Sequence, residues 1–211
     1  MRYHWGVATP GNTMVLLLLL AACGLPAPAP AAAVGQVELR LVGPAPEGEP
    51  APCGAEGGAG GAAVWSEVGQ ARPGRGVITW GSCGPEPSTL VLPPGSTLVL
   101  RNAQDEDLPL AWALADGRAD RAVIVRGGER SLVLGADSVV TVRSPKGNAT
   151  VVVAPVGGVT DPQGRASLAS VPAGAQELHV LQPGVGDRLL PVRVPVNDRV
   201  VVELELRPPQ L

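Results

Sequence analysis

Short runs in which apolar and polar residues alternate make up most of the chain from Gln36 onward. In Thr97–Arg101 and Val200–Leu206, period two places Leu and Val on one face and charge on the other. Successive side chains of a β-strand point to opposite faces, so each run predicts a strand with one buried face. Such faces are buried when a second sheet packs against them.

Fourteen such runs, separated by Gly, Pro and Asp, predict the strands of the fold. No long stretch has helical periodicity free of Pro or Gly, and Gly54–Gly61 is so rich in glycine that it predicts a flexible loop. Many short strands at this spacing are typical of a β-sandwich, so we expect an all-β fold. The runs are Val37–Val42, Ala62–Val68, Gly76–Trp80, Thr89–Leu92, Thr97–Arg101, Leu110–Leu114, Ala122–Arg126, Ser131–Leu134, Ser138–Arg143, Thr150–Ala154, Ala166–Leu168, Glu177–Leu181, Leu189–Val194 and Arg199–Leu206.

The first part of the chain has the layout of an export signal. Arg2 precedes the apolar run Met14–Leu20, which is followed by small residues and then Cys23. This order predicts a secretory signal, and the run of seven apolar residues is too short to span a bilayer. Cleavage further on, within Ala27–Ala33, would leave Cys23 without a role in anchoring, and this alternative stays open.

The residues Leu20-Ala21-Ala22-Cys23 resemble the lipobox of bacterial lipoproteins. The resemblance implies cleavage before Cys23, acylation of its sulfur and anchoring of the chain by lipid, since two or more acyl chains anchor a protein stably. Gly24 follows the cysteine, which in these lipoproteins favours the outer membrane, facing the periplasm or the exterior. The alternating Pro and Ala residues that follow predict an extended tether.

Composition narrows the range of functions. The chain has 16 Lys and Arg against 19 Asp and Glu, and removal of the signal also removes Arg2, so no basic patch for nucleic acid is evident. Downstream of the signal the aromatic residues are only Trp65, Trp80 and Trp112. We expect these three in a core made mostly of Val and Leu, which disfavours stacking platforms for sugars or single-stranded nucleic acid.

The chain has two cysteines in addition to the predicted lipidation residue. Cys53 and Cys83 lie in a chain that leaves the reducing cytoplasm, so we expect them to form a disulfide. In the chain-entropy model a crosslink across a loop of this length stabilises the fold by roughly 3–4 kcal/mol. Metal binding through the two thiols is the alternative, but no other Cys or His lies at ligand spacing.

Two turns mark the last part of the chain. In Thr160–Arg165, Asp, Pro and Gly occupy the first, second and fourth positions of a type I turn, which predicts a hairpin. Val171–Gly174 supplies a second turn before Glu177–Leu181. This order of turns and strands resembles the carboxypeptidase regulatory-like domain over Val156–Leu206. The resemblance implies a transthyretin-like β module, residues 156–207, with no catalytic residues of its own.

The upstream half carries a second resemblance. Gly81–Pro85, Val91–Gly95 and Thr97–Asn102 are similar to the opening of a cupredoxin-like domain. This implies a Greek-key β-sandwich over residues 36–155, after a signal peptide at 1–22 and a tether at 23–35. In related envelope proteins such a domain is followed directly by a segment like the regulatory-like one.

The residues expected of a copper site are missing from this sequence. A blue-copper site takes two His, one Cys thiolate and usually an axial Met. Downstream of the signal the chain has His179 as its one histidine and no Met, and Leu108–Trp112 stands where the first His of such a site would follow Asn102–Asp105. We therefore expect no copper electron transfer and assign no metal-ligating or cofactor-binding residues.

Other polar residues allow weaker hypotheses. Alternation in the run Glu177–Leu181 places His179 on the same face as Glu177 and Leu181, and catalysis by His179 would need a nucleophile and an orienting acid nearby. The acidic run Asp105–Asp107 lacks the spacing of a calcium loop. Five arginines either form a stripe for anionic lipid or polysaccharide or pair with acids around them, namely Arg118, Arg121, Arg126, Arg130 and Arg143.

Together these features predict a non-catalytic, lipid-anchored envelope protein that acts by binding or as a structural part. Its expected partners are the membrane, through the lipid on Cys23, and an envelope protein or polysaccharide, with no nucleic acid and no cofactor. The alternative is a periplasmic metal-binding protein with a nonstandard site built from His179 and carboxylates.

We predict that mass spectrometry of the protein isolated from bacterial membranes finds Cys23 as the first residue, with acyl groups attached. The variant Cys23→Ala should remain an unprocessed precursor or become soluble, because the sulfur that accepts the lipid is gone. A mature chain that begins near Val34 would contradict the lipoprotein prediction.

Overall fold

The computed structural model describes residues 32–42, 60–114, 119–136, 138–182 and 186–205. These residues form sixteen strands, and no helix among them is long and apolar enough to cross a membrane. The strands are β1 (Val34–Val42), β2 (Ala63–Ser66), β3 (Arg75–Gly81), β4 (Gly84–Glu86), β5 (Thr89–Leu92), β6 (Thr97–Asn102), β7 (Leu108–Ala113), β8 (Ala119–Ile124), β9 (Glu129–Val133), β10 (Ser138–Ser144), β11 (Gly147–Val153), β12 (Val156–Val159), β13 (Arg165–Pro172), β14 (Gly174–Gln182), β15 (Gly186–Val194) and β16 (Arg199–Glu205).

Every predicted run overlaps one of these strands, so the predicted all-β fold is confirmed. Two strands were not predicted. β4 consists of Gly, Pro and Glu, and β12 contains two glycines, so neither shows the apolar alternation by which the other strands are found. Both pair antiparallel with a neighbour, β4 with β3 and β12 with β2.

The first sandwich packs a sheet of order β4-β3-β6-β9 against one of order β5-β11-β10-β7-β8. Its core draws alternate residues from both sheets, such as Leu98 and Leu100 from β6 and Val140 and Val142 from β10, all fully buried. Trp80 is also fully buried and belongs to this core. The expectation of a Val and Leu core with buried tryptophans is confirmed here.

The second sandwich packs a sheet of order β13-β1-β16 against one of order β12-β2-β14-β15. β1 lies in the middle of its sheet, antiparallel to β13 and parallel to β16. Its alternate residues Val37, Leu39 and Leu41 are buried in the same cluster as Leu168 and Leu178. The chain therefore begins this sandwich with β1 and β2 and returns to complete it with β12 to β16.

This arrangement differs from the predicted division at residue 155. Residues 36–155 were expected to form one sandwich, but β1 and β2 pack in the second core together with strands from beyond residue 155. The reason is long-range pairing: the parallel register joins Val37 to Val200 and Leu39 to Val202. Alternation predicts that β1 has a buried face, but it carries no information about which strand lies beside it.

A third apolar cluster joins the two sandwiches. Ala63 and Trp65 of β2 pack against Val152 and Ala154, next to β12. Gly157 of β12 lies at this contact, where a Cβ atom would come within 2.6 Å of Val91 Cγ1 and 2.8 Å of the Val64 carbonyl oxygen. Only glycine fits between these two neighbours without displacing one of them.

The turn predicted at Thr160–Arg165 is confirmed between β12 and β13, but the predicted hairpin is wrong, because these two strands belong to different sheets. The Gly164 amide donates to the Asp161 carbonyl at 2.8 Å, and Gly164 has a φ of 77°, which glycine adopts readily. Asp161 Oδ1 accepts from the amides of Gln163 and Arg165 at 2.9 and 2.8 Å. The Asp161 side chain thus stabilises the turn by accepting hydrogen bonds from backbone amides two and four residues later, as aspartate commonly does in turns.

We expect Gly157→Ala to lower the free energy of unfolding by about 1–3 kcal/mol, because the added methyl overpacks the contact between the sandwiches. The matched control is Gly158→Ala, whose Cβ would meet no atom closer than the Ser167 carbonyl oxygen at 3.8 Å. Urea denaturation of both variants measures the difference. Equal stability of the two would show that this contact is not tightly packed.

Candidate functional site

Two of the predicted site residues lie outside the described residues. These are the lipidation residue Cys23 and the disulfide residue Cys53, so lipidation and the Cys53–Cys83 pairing stay predictions. Cys83 lies in the turn between β3 and β4, where its sulfur is 3.9 Å from the Ser82 hydroxyl and is not a free thiol.

The first candidate site is the end of the first sandwich, where the cupredoxin resemblance would place copper. Asn102 ends β6 there and is completely buried. Its Nδ2 donates to the carbonyls of Glu106 and Ile124 at 2.8 and 2.9 Å, and its Oδ1 accepts from the Gln104 amide at 2.9 Å. This side chain fastens the connection between β6 and β7, which is a structural role.

The hairpin between β10 and β11 closes the same end. Ser144 pairs with Gly147 across a two-residue turn, and its hydroxyl donates to the Gly147 carbonyl at 3.0 Å and accepts from the Lys146 amide at 3.0 Å. Lys146 Nζ lies 3.1 Å from Glu106 Oε1. Across the part of the chain that the structure describes, no group of three or more His, Cys, Asp or Glu could hold a metal ion.

The second candidate site surrounds His179 on β14. Its ring stacks on Trp65 of the neighbouring strand, with centroids 4.8 Å apart and planes inclined by 14°. Nε2 lies 3.4 Å from Glu67 Oε1 and Nδ1 lies 3.5 Å from Asp187 Oδ2, both longer than ordinary hydrogen bonds. The two acids come from different parts of the chain, so the sequence pattern around His179 could not identify them.

The third candidate site concerns the predicted arginine stripe. Arg118 lies outside the described residues. Arg126 pairs with Asp105 at 2.8 Å, and Arg130 lies 3.8 Å from Asp120 and 5.6 Å from the ring centroid of Trp112. Of the two hypotheses, pairing with nearby acids therefore holds for these two arginines.

Arg121 and Arg143 behave differently. Neither forms an ion pair with any residue in the described ranges. Both are exposed, and both pair in register with Ala111, Arg121 from β8 on one side and Arg143 from β10 on the other. Directly opposed residues share a face, so the two arginines flank the small side chain of Ala111. Because neighbouring strands are about 4.8 Å apart, the Cα atoms of the two arginines lie about 10 Å from each other.

A concavity of about 620 Å³ lies over this row. We call it the basic groove; its lining includes Pro109, Ala111, Arg121, Val123, Arg143 and Pro145. Its surface is mainly apolar apart from the two guanidinium groups, and Val123 leaves 63% of its surface exposed. The sequence named both arginines as candidates, but only the insertion of β7 between their strands places Ala111 between them.

The basic groove adjoins an open sheet edge. β8 is the last strand of its sheet and, among the described residues, pairs with β7 alone. Its outer face carries Arg121 and Val123, and Val125 follows with 61% of its surface exposed. Backbone donors and acceptors on such an edge are available to another extended segment, apart from the Arg121 amide, which donates to Asp120 Oδ1 at 2.7 Å.

Comparison with known proteins places these features in context. No protein-family model matches the chain, and no curated protein matches it. Among solved structures, a Cu(I) form of an amicyanin mutant matches with a TM-score of 0.35 and 17% identity, over 44% of this chain and 97% of that chain. A purple cupredoxin from Nitrosopumilus maritimus matches with a TM-score of 0.32 and 16% identity, over 37% of this chain and 98% of that chain. At these TM-scores neither a copper site nor an activity transfers to this chain.

Replacing Asn102 with Ala should lower the free energy of unfolding by about 1–3 kcal/mol, because buried backbone groups lose their hydrogen-bond partner. Asn148→Ala is the matched control, since Asn148 is exposed and its loss should change stability by no more than about 0.5 kcal/mol. Thermal and urea unfolding measure both. If the two variants are equally stable, Asn102 does not hold this end of the sandwich.

Proposed function

We propose that the protein is a lipid-anchored, non-catalytic β-sandwich module of the cell envelope that acts by binding a partner or as a structural part. Anchoring rests on the order of Arg2, Met14–Leu20 and Cys23, and Gly24 favours the outer membrane. The two sandwiches then stand outside the cytoplasm on the Pro- and Ala-rich tether.

The observation that carries this proposal is the closed end of the first sandwich. Asn102 gives its amide to backbone groups, the Ser144 hydroxyl both donates and accepts within its hairpin, and Lys146 is paired with Glu106. Polar groups that already satisfy one another are poorly available to a metal ion or a substrate, because binding would first break these interactions. This supports a structural use of that end.

The basic groove supports the binding half of the proposal. Two guanidinium groups without acidic partners in the described residues flank a small apolar floor on an exposed sheet face. Arginine is favoured where carboxylates or phosphates are recognised, because its planar fork donates two parallel hydrogen bonds. A partner with negative charge fits this surface.

The alternative, a metal-binding protein, is favoured by one observation at His179. Two ligands of a tetrahedral zinc ion lie about 3.4 Å apart, given metal–ligand distances near 2.1 Å, which matches the 3.4 Å between Nε2 and Glu67 Oε1. However, Asp187 faces the other ring nitrogen. Since the two nitrogens point to different sides of the ring, the three residues cannot share one ion.

Metal analysis of the full-length protein, purified from membranes without a His tag, tests the proposal against this alternative. We expect copper and zinc far below one ion per chain, both as isolated and after incubation with each metal and removal of the excess. One ion per chain that is lost in His179→Ala but retained in Asp105→Asn would contradict the proposal. Asp105 serves as the control because its carboxylate is exposed and distant in sequence from the His179 site.

A further inference from the structure

The geometry points to β8 as the docking edge for an extended acidic segment of a partner protein, which adds to the sheet as a further strand. The partner segment carries an acidic residue opposite Arg121 and an apolar residue two positions away, opposite Val123. This rests on the proposed function as a binding module and names its surface and the chemistry of its partner.

The backbone of β8 provides the first argument. Within the described ranges β8 pairs only with β7, so one side of Ala119–Ile124 has no described strand beside it. The Arg121 amide already donates to Asp120 Oδ1 at 2.7 Å, a bond that a backbone carbonyl of an added strand would have to replace. An extended peptide satisfies such groups by adding to the sheet, whereas a lipid or a polysaccharide has no backbone to match them. The edge therefore favours a polypeptide partner.

The side chains of β8 provide the second argument. Arg121 and Val123 lie on the same face of the strand, since they are two residues apart, and both are exposed. A residue opposite Arg121 on an added strand would stand about 5 Å from it, within reach of a carboxylate. Arg143 lies two strands further in and contributes through its charge rather than by contact.

The other face of the strand explains why β8 is ordered without a partner. Ile124 is buried in the first core, and Asp120 lies near Arg130, so that face belongs to the sandwich. The docking residues and the packing residues thus alternate along one strand. Binding on the outer face needs no rearrangement of the core.

Charge also favours a different protein over a second copy of this chain. When β8 pairs antiparallel with β8 of another copy in the register centred on Arg121, the arginines of the two copies directly face each other. Like charges directly opposed across strands are destabilising. An acidic strand gains from the same position.

The test is binding of synthetic peptides to the full-length protein, purified from membranes in detergent, by isothermal titration calorimetry or fluorescence anisotropy. The probe is a repeat of Glu-Thr-Val-Thr, which places Glu and Val alternately on one face. One comparison peptide replaces Glu with Lys. A second keeps the sequence but carries N-methyl groups on alternate residues, so that one edge cannot donate hydrogen bonds.

We expect the acidic peptide to bind and both comparison peptides to bind at least tenfold more weakly. Arg121→Glu should weaken binding of the acidic peptide at least tenfold, Arg121→Lys should retain most of it, and Arg143→Glu should weaken it by a smaller factor. Arg193→Glu is the matched control, because Arg193 is an exposed arginine on the second sandwich. It should leave binding unchanged, and thermal unfolding checks that all variants fold.

Several outcomes would overturn the inference. These are equal binding of the N-methylated or the Lys peptide, an Arg193→Glu effect as large as that of Arg121→Glu, binding only to anionic vesicles, and a dimer of the chain held through β8. Each leaves the proposed function standing, because metal content and anchoring are measured separately. Conversely, a bound metal would defeat the proposed function without changing peptide binding at β8.

Discussion

The pairing of β1 with β13 and β16 is the constraint on which the rest of the structure depends. It places β1, the first strand of the described residues, between β13 and β16 and buries Val37, Leu39 and Leu41 in the second core. The first sandwich, β3 to β11, is therefore an insertion between β2 and β12. A strand in the middle of a sheet is held on both sides, so β1 is a well-secured element.

The insertion is held at both of its ends by the same apolar contact. β2 leads into the first sandwich and β12 leads out of it, and the two pair with each other beside Val152 and Ala154. Gly157 allows the close approach, since a side chain there would strike Val91. The two sandwiches consequently pack directly against each other.

Within the first sandwich, polar groups are divided between two uses. At one end, polar side chains stabilise the loops through hydrogen bonds and an ion pair; these are Asn102, Ser144 and Lys146. On the outer face of the larger sheet, Arg121 and Arg143 form no ion pair with any residue that the structure describes, and Ala111 lies between them. This contrast, rather than any catalytic grouping, distinguishes the surface that we propose for binding.

The sequence by itself determined the all-β fold, the position of nearly every strand and the residues that face the cores, because period-two alternation is a local property. It also singled out Asn102, His179, Arg121 and Arg143 by residue type. Only the tertiary structure decided that β1 joins the second sandwich, that Glu67 and Asp187 flank His179, and that Ala111 separates the two arginines. These facts depend on which strands are neighbours, and neighbours are chosen by packing and hydrogen bonding between segments far apart in the chain.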